Sequence, residues 1–310
     1  MNIIFAAASS FAEQTLMALT QLDHKIVAVL TQPDRRSGRG LKKTKNPIKT
    51  MALNLGLLVL EHESLANSEA YKTIKKLTPD LLLTMAYGEH IPNKILKIPS
   101  CDSINIHPSL LPLWRGASPI QSAILNGDKK TGVCLTRMVS EFDAGPIFVS
   151  CETKIAAHET TGLLSNKLAE LSAKLIKSSL DDILDKKISP TEQAHKNAIY
   201  APKIKKTDAL IDWSLSADKL LRQIKAFNPW PVSYSFFKGK YFRIWDAELN
   251  NHNNSRHPPG KIIEIRDKDI LVSTGEKMLA LTQVQLEGKK KTTAADFARG
   301  YDCQGITLGC

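Results

Sequence analysis

The segment MNIIFAAASSFAEQTLMALTQLDHKIVAVLT, residues 1–31, decides the architecture of the first half of the chain. Residues 1–7 form an apolar run, residues 11–20 carry apolar side chains at helical spacing, and residues 25–31 form a second apolar run rich in β-branched side chains. This order predicts a strand, a helix and a second strand. Such a unit is the building block of parallel sheets, because a parallel connection needs a crossover helix.

The same alternation continues along the following residues. Further helices are predicted at residues 48–55, 68–77 and 160–184, and further strands at residues 57–60, 80–86, 103–107, 132–139 and 146–151. Alternating strands and helices favour a sheet that helices cover on both faces. We therefore predict an α/β fold whose N-terminal part is a Rossmann-like open sheet with helices on both faces.

The composition changes near residue 185. Residues 186–207 are polar with little apolar periodicity, which is typical of a linker. Beyond them the pattern predicts one helix at residues 216–226 and short strands at residues 234–237, 241–247, 260–265, 269–273 and 278–285. We therefore predict a catalytic domain at residues 1–185, a linker at 186–207, and a small C-terminal β-barrel of the oligonucleotide-binding (OB-like) type at 208–310.

Positive charge is the main feature of the composition. The 310 residues include 42 Lys and Arg against 31 Asp and Glu, a formal net charge of +11, which suits a polyanionic partner. Residues 35–49 contain no acidic residue and seven basic ones: Arg35, Arg36, Arg39, Lys42, Lys43, Lys45 and Lys49. This segment is either a solvated surface loop or an arm that docks on phosphates, with Gly38 and Gly40 permitting a close approach of the backbone.

Several common enzyme classes are disfavoured by missing motifs. The turn after the first predicted strand, AAASS at residues 6–10, lacks the Gly-x-Gly-x-x-Gly of dinucleotide-binding proteins. Gly127 and Gly132 have the spacing of a P-loop, but Val133 and Cys134 follow where Lys and Ser or Thr are required. No His-Glu-x-x-His motif and no Cys-x-x-Cys pair occurs, so we expect neither a bound metal nor a disulfide scaffold.

Without a basic leader or a membrane-spanning run of about 20 apolar residues, we expect a cytoplasmic protein.

The segment Ser103-Ile-Asn-Ile-His-Pro108 combines a strand with two polar side chains. Residues two apart in a strand share a face, so Asn105 and His107 project together. Pro108 ends the strand and places both at the carboxyl edge of the sheet, where open α/β folds bind ligands. Asp143 follows a later predicted strand, in a turn that reaches the same edge or merely makes an Asx-turn. Catalytic and structural roles both remain open for these residues.

Longer motifs add a family resemblance. The string SINIHPSLLPLWRGASPIQSAI at residues 103–124, followed by FDAGPI, resembles the signature of the 10-formyltetrahydrofolate-dependent formyltransferase superfamily. The strings QPDRRSGRG, AYG, YAPKIKKTDALIDWS and AFNPWP are similar to those superfamily members that act on initiator methionyl-tRNA. The resemblance covers about residues 1–300, weakens toward the C-terminus and implies a formyltransferase fold.

The resemblance implies an enzyme that transfers a formyl group from 10-formyltetrahydrofolate to the methionyl amine of initiator methionyl-tRNA. It implies that Asn105 stabilises the oxyanion, that His107 is a second donor or acid/base, and that Asp143 orients His107 and favours its imidazolium form. The implied folate-binding residues are Ser109, Leu110, Leu111, Pro112, Tyr87 and Gly88. The implied tRNA-binding residues are Arg39, Arg35, Arg36, Lys42, Lys43, Lys205 and Lys206. A monomer is expected.

Other functions share this chemistry. Another formyltransferase that uses the same folate, a formyltetrahydrofolate hydrolase and a catalytically silent RNA-binding protein are the alternatives. The basic segment and the basic C-terminal domain favour a tRNA acceptor, because both can contact phosphates. Trp213, Trp230 and Trp245 are either nucleotide-stacking residues or, as we interpret them, mainly buried anchors of the core.

Overall fold

A seven-stranded sheet forms the centre of the first of two units in the computed structural model. The structure describes residues 1–37, 42–44, 46–250 and 257–309, with side chains for all of these except residues 35–37 and 42–44. The first unit comprises Met1–Pro119, Lys130–Lys154 and Ser165–Pro202, and the second comprises Ile120–Lys129, Ile155–Leu164 and Lys203–Cys310. The domain boundaries predicted from composition stay a prediction.

The elements up to residue 201 follow the predicted alternation, with ends that agree to within three residues. In chain order they are β1 (Asn2–Ala7), α1 (Glu13–Leu19), β2 (Lys25–Thr31), β3 (Arg35–Ser37), β4 (Lys42–Thr44), α2 (Pro47–Asn54), β5 (Val59–Glu61), α3 (Ser68–Lys76), β6 (Leu81–Met85), α4 (Asn93–Leu96), β7 (Asp102–His107), β8 (Arg115–Gly116), α5 (Pro119–Asn126), β9 (Lys130–Arg137), β10 (Ile147–Lys154), α6 (Thr161–Leu184) and β11 (Tyr200–Ala201). The short elements β3, β4, α4, β8 and β11, and the helix α5, were not predicted.

The main sheet has the strand order β10-β9-β7-β6-β1-β2-β5. The five strands from β5 to β7 are parallel, as predicted, whereas β9 and β10 run antiparallel to their neighbours. Ile3, Phe5 and Leu83 in β1 and β6 are completely buried, because a parallel sheet with helices on both faces exposes neither side. From Val149 to Lys154 in β10 half-buried and exposed residues alternate, which is typical of an edge strand with one solvated face.

The second unit is built on an antiparallel, curled sheet. The elements after residue 201 are α7 (Ala217–Ala226), β12 (Tyr234–Phe237), β13 (Lys240–Asn250), β14 (Ile262–Ile265), β15 (Ile270–Ser273), β16 (Met278–Leu286), β17 (Thr292–Thr293) and α8 (Ala294–Gly300). The strand order is β12-β13-β16-β15-β14, and β17 pairs with β16. Leu220 and Ile224 of α7 pack with Phe297 of α8 in the core of this sheet. The predicted helix and five strands are confirmed, whereas β17 and α8 were not predicted.

The two outer strands of this sheet are linked by the end of the chain. Ile262 N donates to Ile306 O over 2.8 Å, and Leu308 N donates to Gly260 O over 2.8 Å. On the other side, Gly309 N donates to Phe236 O in β12 over 2.9 Å. The C-terminal residues thus complete a half-barrel of the kind that was predicted.

No helix within the described ranges is long and apolar enough to span a bilayer.

Candidate active site

The carboxyl end of β7 carries the two polar side chains that the sequence singled out. β7 pairs in parallel with β6 and antiparallel with β9, so its backbone is held on both sides. Ile104 and Ile106, the alternate residues, are buried at 0% and 2% exposure. Asn105 is half-buried and His107 is buried. Because these two side chains share one face of a strand with two partners, their separation and direction are fixed by the sheet.

Asp143 lies against both side chains. Asn105 Nδ2 donates a hydrogen bond to Asp143 Oδ1 over 3.1 Å, and His107 Nδ1 lies 3.4 Å from the same oxygen. The other carboxylate oxygen, Oδ2, accepts from the backbone N–H of Gly116 over 2.9 Å. The carboxylate side chain is only 12% exposed. The three residues that the sequence singled out therefore form one contiguous cluster.

The His107 ring is oriented from its other side as well. Nε2 lies 2.9 Å from the carbonyl oxygen of Trp114. A carbonyl oxygen only accepts, so Nε2 carries a proton in this arrangement. Nδ1 then faces the Asp143 carboxylate, 3.4 Å from Oδ1.

The turn that carries Asp143 is conformationally demanding. Asp143 has a φ of +53°, in the left-handed region that non-glycine residues rarely adopt. Two residues later, a Cβ on Gly145 would lie 1.9 Å from the carbonyl oxygen of Arg137, so only glycine fits there. Thr136 Oγ1 donates to Gly145 O over 2.9 Å. The position of the carboxylate thus depends on a turn that neighbouring groups must hold.

Gln193 connects this turn to a buried arginine. Its Nε2 donates to the carbonyl oxygens of Asp143 over 2.8 Å and Gly145 over 2.7 Å. Its Oε1 accepts from Arg115 Nη2 over 2.8 Å and from Arg115 Nε over 3.2 Å. Arg115 is 1% exposed, and its Nη2 also lies 3.1 Å from His195 Nδ1. Sequence reasoning did not identify Gln193, Arg115 or His195 as part of the site.

Residues 191–201 lie along this cluster; we refer to them as the 191–201 segment. Thr191 exchanges backbone hydrogen bonds with Ile147, each of 2.8 Å, and β11 pairs in parallel with β8. The carbonyl of Ile199 accepts from Arg115 N over 2.9 Å. This pairing holds the strand whose Gly116 N–H bonds to Asp143. The segment lies within the predicted linker, and the structure gives it backbone hydrogen bonds to the site.

The residues implied in folate binding lie in two loops. Ser109–Pro112 follow β7; Ser109 and Leu111 are buried, while Leu110 and Pro112 are half-buried. Ser109 Oγ donates to Leu113 O over 2.6 Å, which closes the turn. Gly88 is exposed with a φ of +80°.

Tyr87 points away from solvent. Its side chain is 2% exposed and packs in a core cluster with Leu65, Ile91 and Ile95. Burial raises the pKa of its hydroxyl far above the usual range. The Tyr87 side chain is therefore part of the core, and its carbonyl oxygen accepts from Gln32 Nε2.

The residues implied in tRNA binding are only partly described. Arg39 lies outside the described residues. Arg35 and Arg36 lie in β3, which pairs antiparallel with Lys42 and Lys43 in β4. Lys205 and Lys206 are exposed in the second unit.

The charge of Lys49, at the end of the basic segment, is paired with two acidic side chains of this chain. Lys49 Nζ lies 2.8 Å from Glu61 Oε2 and 3.4 Å from Asp34 Oδ2. These contacts, chiefly the hydrogen bond to Glu61, raise the pKa of Lys49. Its ammonium group is thus held by acidic residues of this chain.

The three tryptophans are not alike. Trp213 is 6% exposed, and its Nε1 donates to Ser235 Oγ over 2.9 Å, which confirms the interpretation as a core anchor. Trp245 is half-buried, with Lys291 over its ring. Trp230 is 49% exposed, so its interpretation as a buried anchor was wrong. Trp230 lies in a turn between Pro229 and Pro231, and turns run over the protein surface, which apolar patterning does not reveal.

The cluster can perform polar chemistry at a carbonyl carbon. One N–H of the Asn105 amide is used by Asp143, and within the described residues the second N–H has no protein partner. It can therefore donate to an oxygen that gains negative charge. Cys134, opposite His107 in β9, is a poor nucleophile because burial raises the pKa of its thiol to about 11. Within the described residues, no group of three His, Cys, Asp or Glu is placed to hold a metal ion.

Comparison with known proteins extends this picture over the whole chain. The methionyl-tRNA formyltransferase of Acidithiobacillus ferrooxidans is 41% identical over 309 residues, which cover 99% of this chain and 98% of that relative. The methionyl-tRNA formyltransferase of Buchnera aphidicola is 40% identical over 290 residues, 94% of this chain and 92% of that relative.

Solved structures share the fold at lower identity. An N-formyltransferase from Helicobacter canadensis, in complex with folinic acid and dTDP-3-aminofucose, matches with a TM-score of 0.67 and 17% identity, over 90% of this chain and 98% of that one. HypX from Aquifex aeolicus, in complex with tetrahydrofolic acid, matches with a TM-score of 0.65 and 18% identity, over 95% of this chain and 46% of that one.

Family models match both parts of the chain. Residues 1–180 match the model described as formyl transferase, and residues 203–302 match the model of the formyl transferase C-terminal domain. Together with the two close relatives, these matches show that the chain belongs to the formyl transferase family.

Proposed function

We propose that this chain transfers a formyl group from 10-formyltetrahydrofolate to the amino group of methionine on initiator methionyl-tRNA, for translation initiation. The proposal is supported by the contact of Asn105 and His107 with one oxygen of Asp143. It is also supported by relatives named methionyl-tRNA formyltransferase that match nearly the full length. Transfer to an amine is polar chemistry, for which donors and a carboxylate at a strand end suffice.

The reaction forms one bond and breaks one. The methionyl amine attacks the formyl carbon, a tetrahedral intermediate carries negative charge on the former carbonyl oxygen, and the bond from carbon to the folate N10 then breaks. The amine loses one proton, and the leaving N10 gains one. No covalent bond to the protein is needed, because the amine is itself the nucleophile.

Asn105 and His107 share the stabilisation of this intermediate. The free N–H of the Asn105 amide donates to the developing oxyanion, and because it is held by Asp143 it needs no reorganisation during the reaction. His107 acts as a second donor or as the acid/base that moves the proton, and this role falls to Nδ1, because Nε2 is engaged by Trp114 O. Asp143 orients both groups through one oxygen and is itself held by Gly116 N–H through the other.

The turn after β7 borders the folate in this proposal. Ser109 and the three residues that follow it, Leu110, Leu111 and Pro112, line the site beside His107, with apolar side chains for the flat ring system of the folate. Gly88 contributes an exposed backbone. For Tyr87 the proposal is restricted to its backbone, because its side chain belongs to the core.

Basic residues in both units bind the tRNA in this proposal. Arg35, Arg36, Arg39, Lys42 and Lys43 belong to the first unit, and the exposed pair Lys205 and Lys206 to the second. Contacts of this kind to phosphates are sequence-independent and weaken with salt. The same proposal includes a division into a catalytic domain and a tRNA-binding domain, a monomer, and action in the cytoplasm.

A competition assay tests the proposed function. The protein is incubated with 10-formyltetrahydrofolate and charged initiator methionine tRNA, with charged elongator methionine tRNA and glycinamide ribonucleotide as competing acceptors. We expect formyl transfer to the initiator tRNA in preference to both. Preference for the ribonucleotide would indicate another formyltransferase, folate turnover without an acceptor would indicate a hydrolase, and no turnover would indicate a silent RNA-binding protein.

A further inference from the structure

We propose that Gln193 is a positioning residue for formyl transfer: supported by Arg115, its side-chain amide holds the Asp143 turn so that the carboxylate meets Asn105 and His107. This role rests on the proposed function. It concerns a residue that the motifs of the sequence do not mark, in a segment whose composition is that of a linker.

The orientation of the Gln193 amide is unambiguous. Arg115 only donates hydrogen bonds, so the atom that faces its Nε and Nη2 must be the amide oxygen. The carbonyl oxygens of Asp143 and Gly145 only accept, so the atom that faces them must be the amide nitrogen. Both hydrogens of Nε2 and the oxygen Oε1 are thus engaged, and the side chain is 6% exposed.

The Asp143 turn is where such a support matters. The φ of +53° at Asp143 is an unfavourable conformation for a residue with a Cβ, so the surroundings must stabilise it. Gln193 Nε2 donates to the backbone on both sides of Ala144, at Asp143 O and Gly145 O. Loss of these donors frees the turn to relax. The carboxylate would then leave the 3.1 Å and 3.4 Å contacts that it makes with Asn105 and His107.

Arg115 in turn fixes Gln193. Its guanidinium is 1% exposed, its backbone N donates to Ile199 O, and its Nη2 also contacts His195 Nδ1. A planar guanidinium that donates through Nε and Nη2 to one oxygen restricts that oxygen in two directions. Arg115 therefore acts on Asp143 through Gln193, while the neighbouring Gly116 N–H acts on the carboxylate directly.

Gln193→Glu isolates the amide donors, because Glu has the same size and keeps an oxygen for Arg115. The substitution replaces the two N–H donors with a carboxylate oxygen. This oxygen faces the carbonyl oxygens of Asp143 and Gly145 and cannot donate to them. We expect kcat for formyl transfer to fall by at least about tenfold with KM for both substrates changed by less than about twofold, since a small misplacement of a catalytic group costs rate. Gln193→Met removes the donors without adding charge and serves if the Glu variant does not fold.

A double-mutant cycle distinguishes positioning from a general structural role. In the Asp143→Ala background we expect Gln193→Glu to change kcat by less than about twofold, because the group that it positions is absent. Gln14→Glu, an exposed residue of α1 in the same unit, is the matched control and should keep the wild-type rate. A wild-type kcat for Gln193→Glu and Gln193→Met, or an equal loss in both backgrounds, would overturn the positioning role. Absence of formyl transfer by the wild type would instead overturn the proposed function, and this role with it.

Discussion

The end of β7 and the 191–201 segment contribute to one hydrogen-bonded cluster, yet they are built in opposite ways. β7 is a regular strand between two others, so the directions of Asn105 and His107 follow from the pleat. The 191–201 segment is mostly exposed, but Gln193 is buried at 6% exposure and its side-chain amide bonds to the turn that carries Asp143. The difference teaches that the two groups expected to react, Asn105 and His107, lie on the rigid sheet. The 191–201 segment instead contributes one buried amide, that of Gln193, which holds the turn of Asp143.

The largest expected effect is at the end of β7. Asn105→Ala should lower kcat by roughly 100-fold or more, the scale for losing one oxyanion donor, with little change in Tm. Single-turnover formyl transfer and thermal unfolding measure the two quantities. Asn197→Ala, an exposed residue of the 191–201 segment, is the matched control and should retain activity within about twofold. Near-normal turnover of Asn105→Ala would remove Asn105 from the mechanism.

Two further substitutions test whether the cluster acts as a unit. His107→Ala and Asp143→Ala should each lower kcat by about 100-fold, because each group contributes to the same charge stabilisation. Their combination should be much less than multiplicative, since residues that act together are not additive. Kinetics of the two single variants and the double variant decide this. A fully multiplicative loss would show that His107 and Asp143 act separately despite their 3.4 Å contact.

Two residues of the basic segment, Arg39 and Lys49, test whether tRNA is bound by a directed hydrogen-bonding contact or by charge alone. Arg39→Ala should lower kcat/KM for methionyl-tRNA by about tenfold, or about 1.4 kcal/mol. Arg39→Lys should not restore it, because a guanidinium makes two directed hydrogen bonds where an ammonium is a point charge. Lys49→Ala should have an effect below about twofold, since Lys49 Nζ is paired with Glu61 and Asp34.

Salt titration of the same variants separates the two explanations. A specific Arg39 contact keeps its advantage over Lys49 as the salt concentration rises. Equal and small losses for Arg39→Ala and Lys49→Ala, both vanishing at high salt, would indicate a nonspecific electrostatic arm.

The smallest expected effect on rate is at Thr136, which also supports the turn. The single Oγ1 proton of Thr136 is shared among Gly145 O at 2.9 Å, Pro146 O at 3.1 Å and Arg137 O at 3.3 Å, none of which belongs to Asp143, and Thr136 is 1% exposed. Thr136→Val keeps the shape and should cost about 1 kcal/mol of stability, visible as a lower Tm, with kcat within about twofold. A tenfold loss of kcat at unchanged Tm would place Thr136 beside Gln193 as a positioning residue.

Local pattern was enough to predict most of the elements and the two polar side chains of β7 at the edge of the sheet. The run at residues 80–86 is recognisable because burial on both faces demands a nearly continuous apolar sequence, whereas residues 103–107 alternate polar and apolar side chains. The common face of Asn105 and His107 follows from the two-residue period of a strand. The short pairs β8 and β11 escaped prediction, because two-residue strands have no periodicity and exist only through their partner.

What the sequence determined by itself is the alternation of elements and the two polar residues on β7, since each depends on neighbours along the chain. The tertiary structure alone decided that Asp143 meets them, because Asp143 lies 38 positions after Asn105 and 36 after His107. The contact forms only when β9 pairs antiparallel with β7 and with β10, since the turn between β9 and β10 carries Asp143. It alone decided the role of Gln193, whose partners Arg115 and Asp143 lie 78 and 50 positions away. A single amide in a polar segment has no local signature, because its hydrogen bonds form only when distant segments fold together.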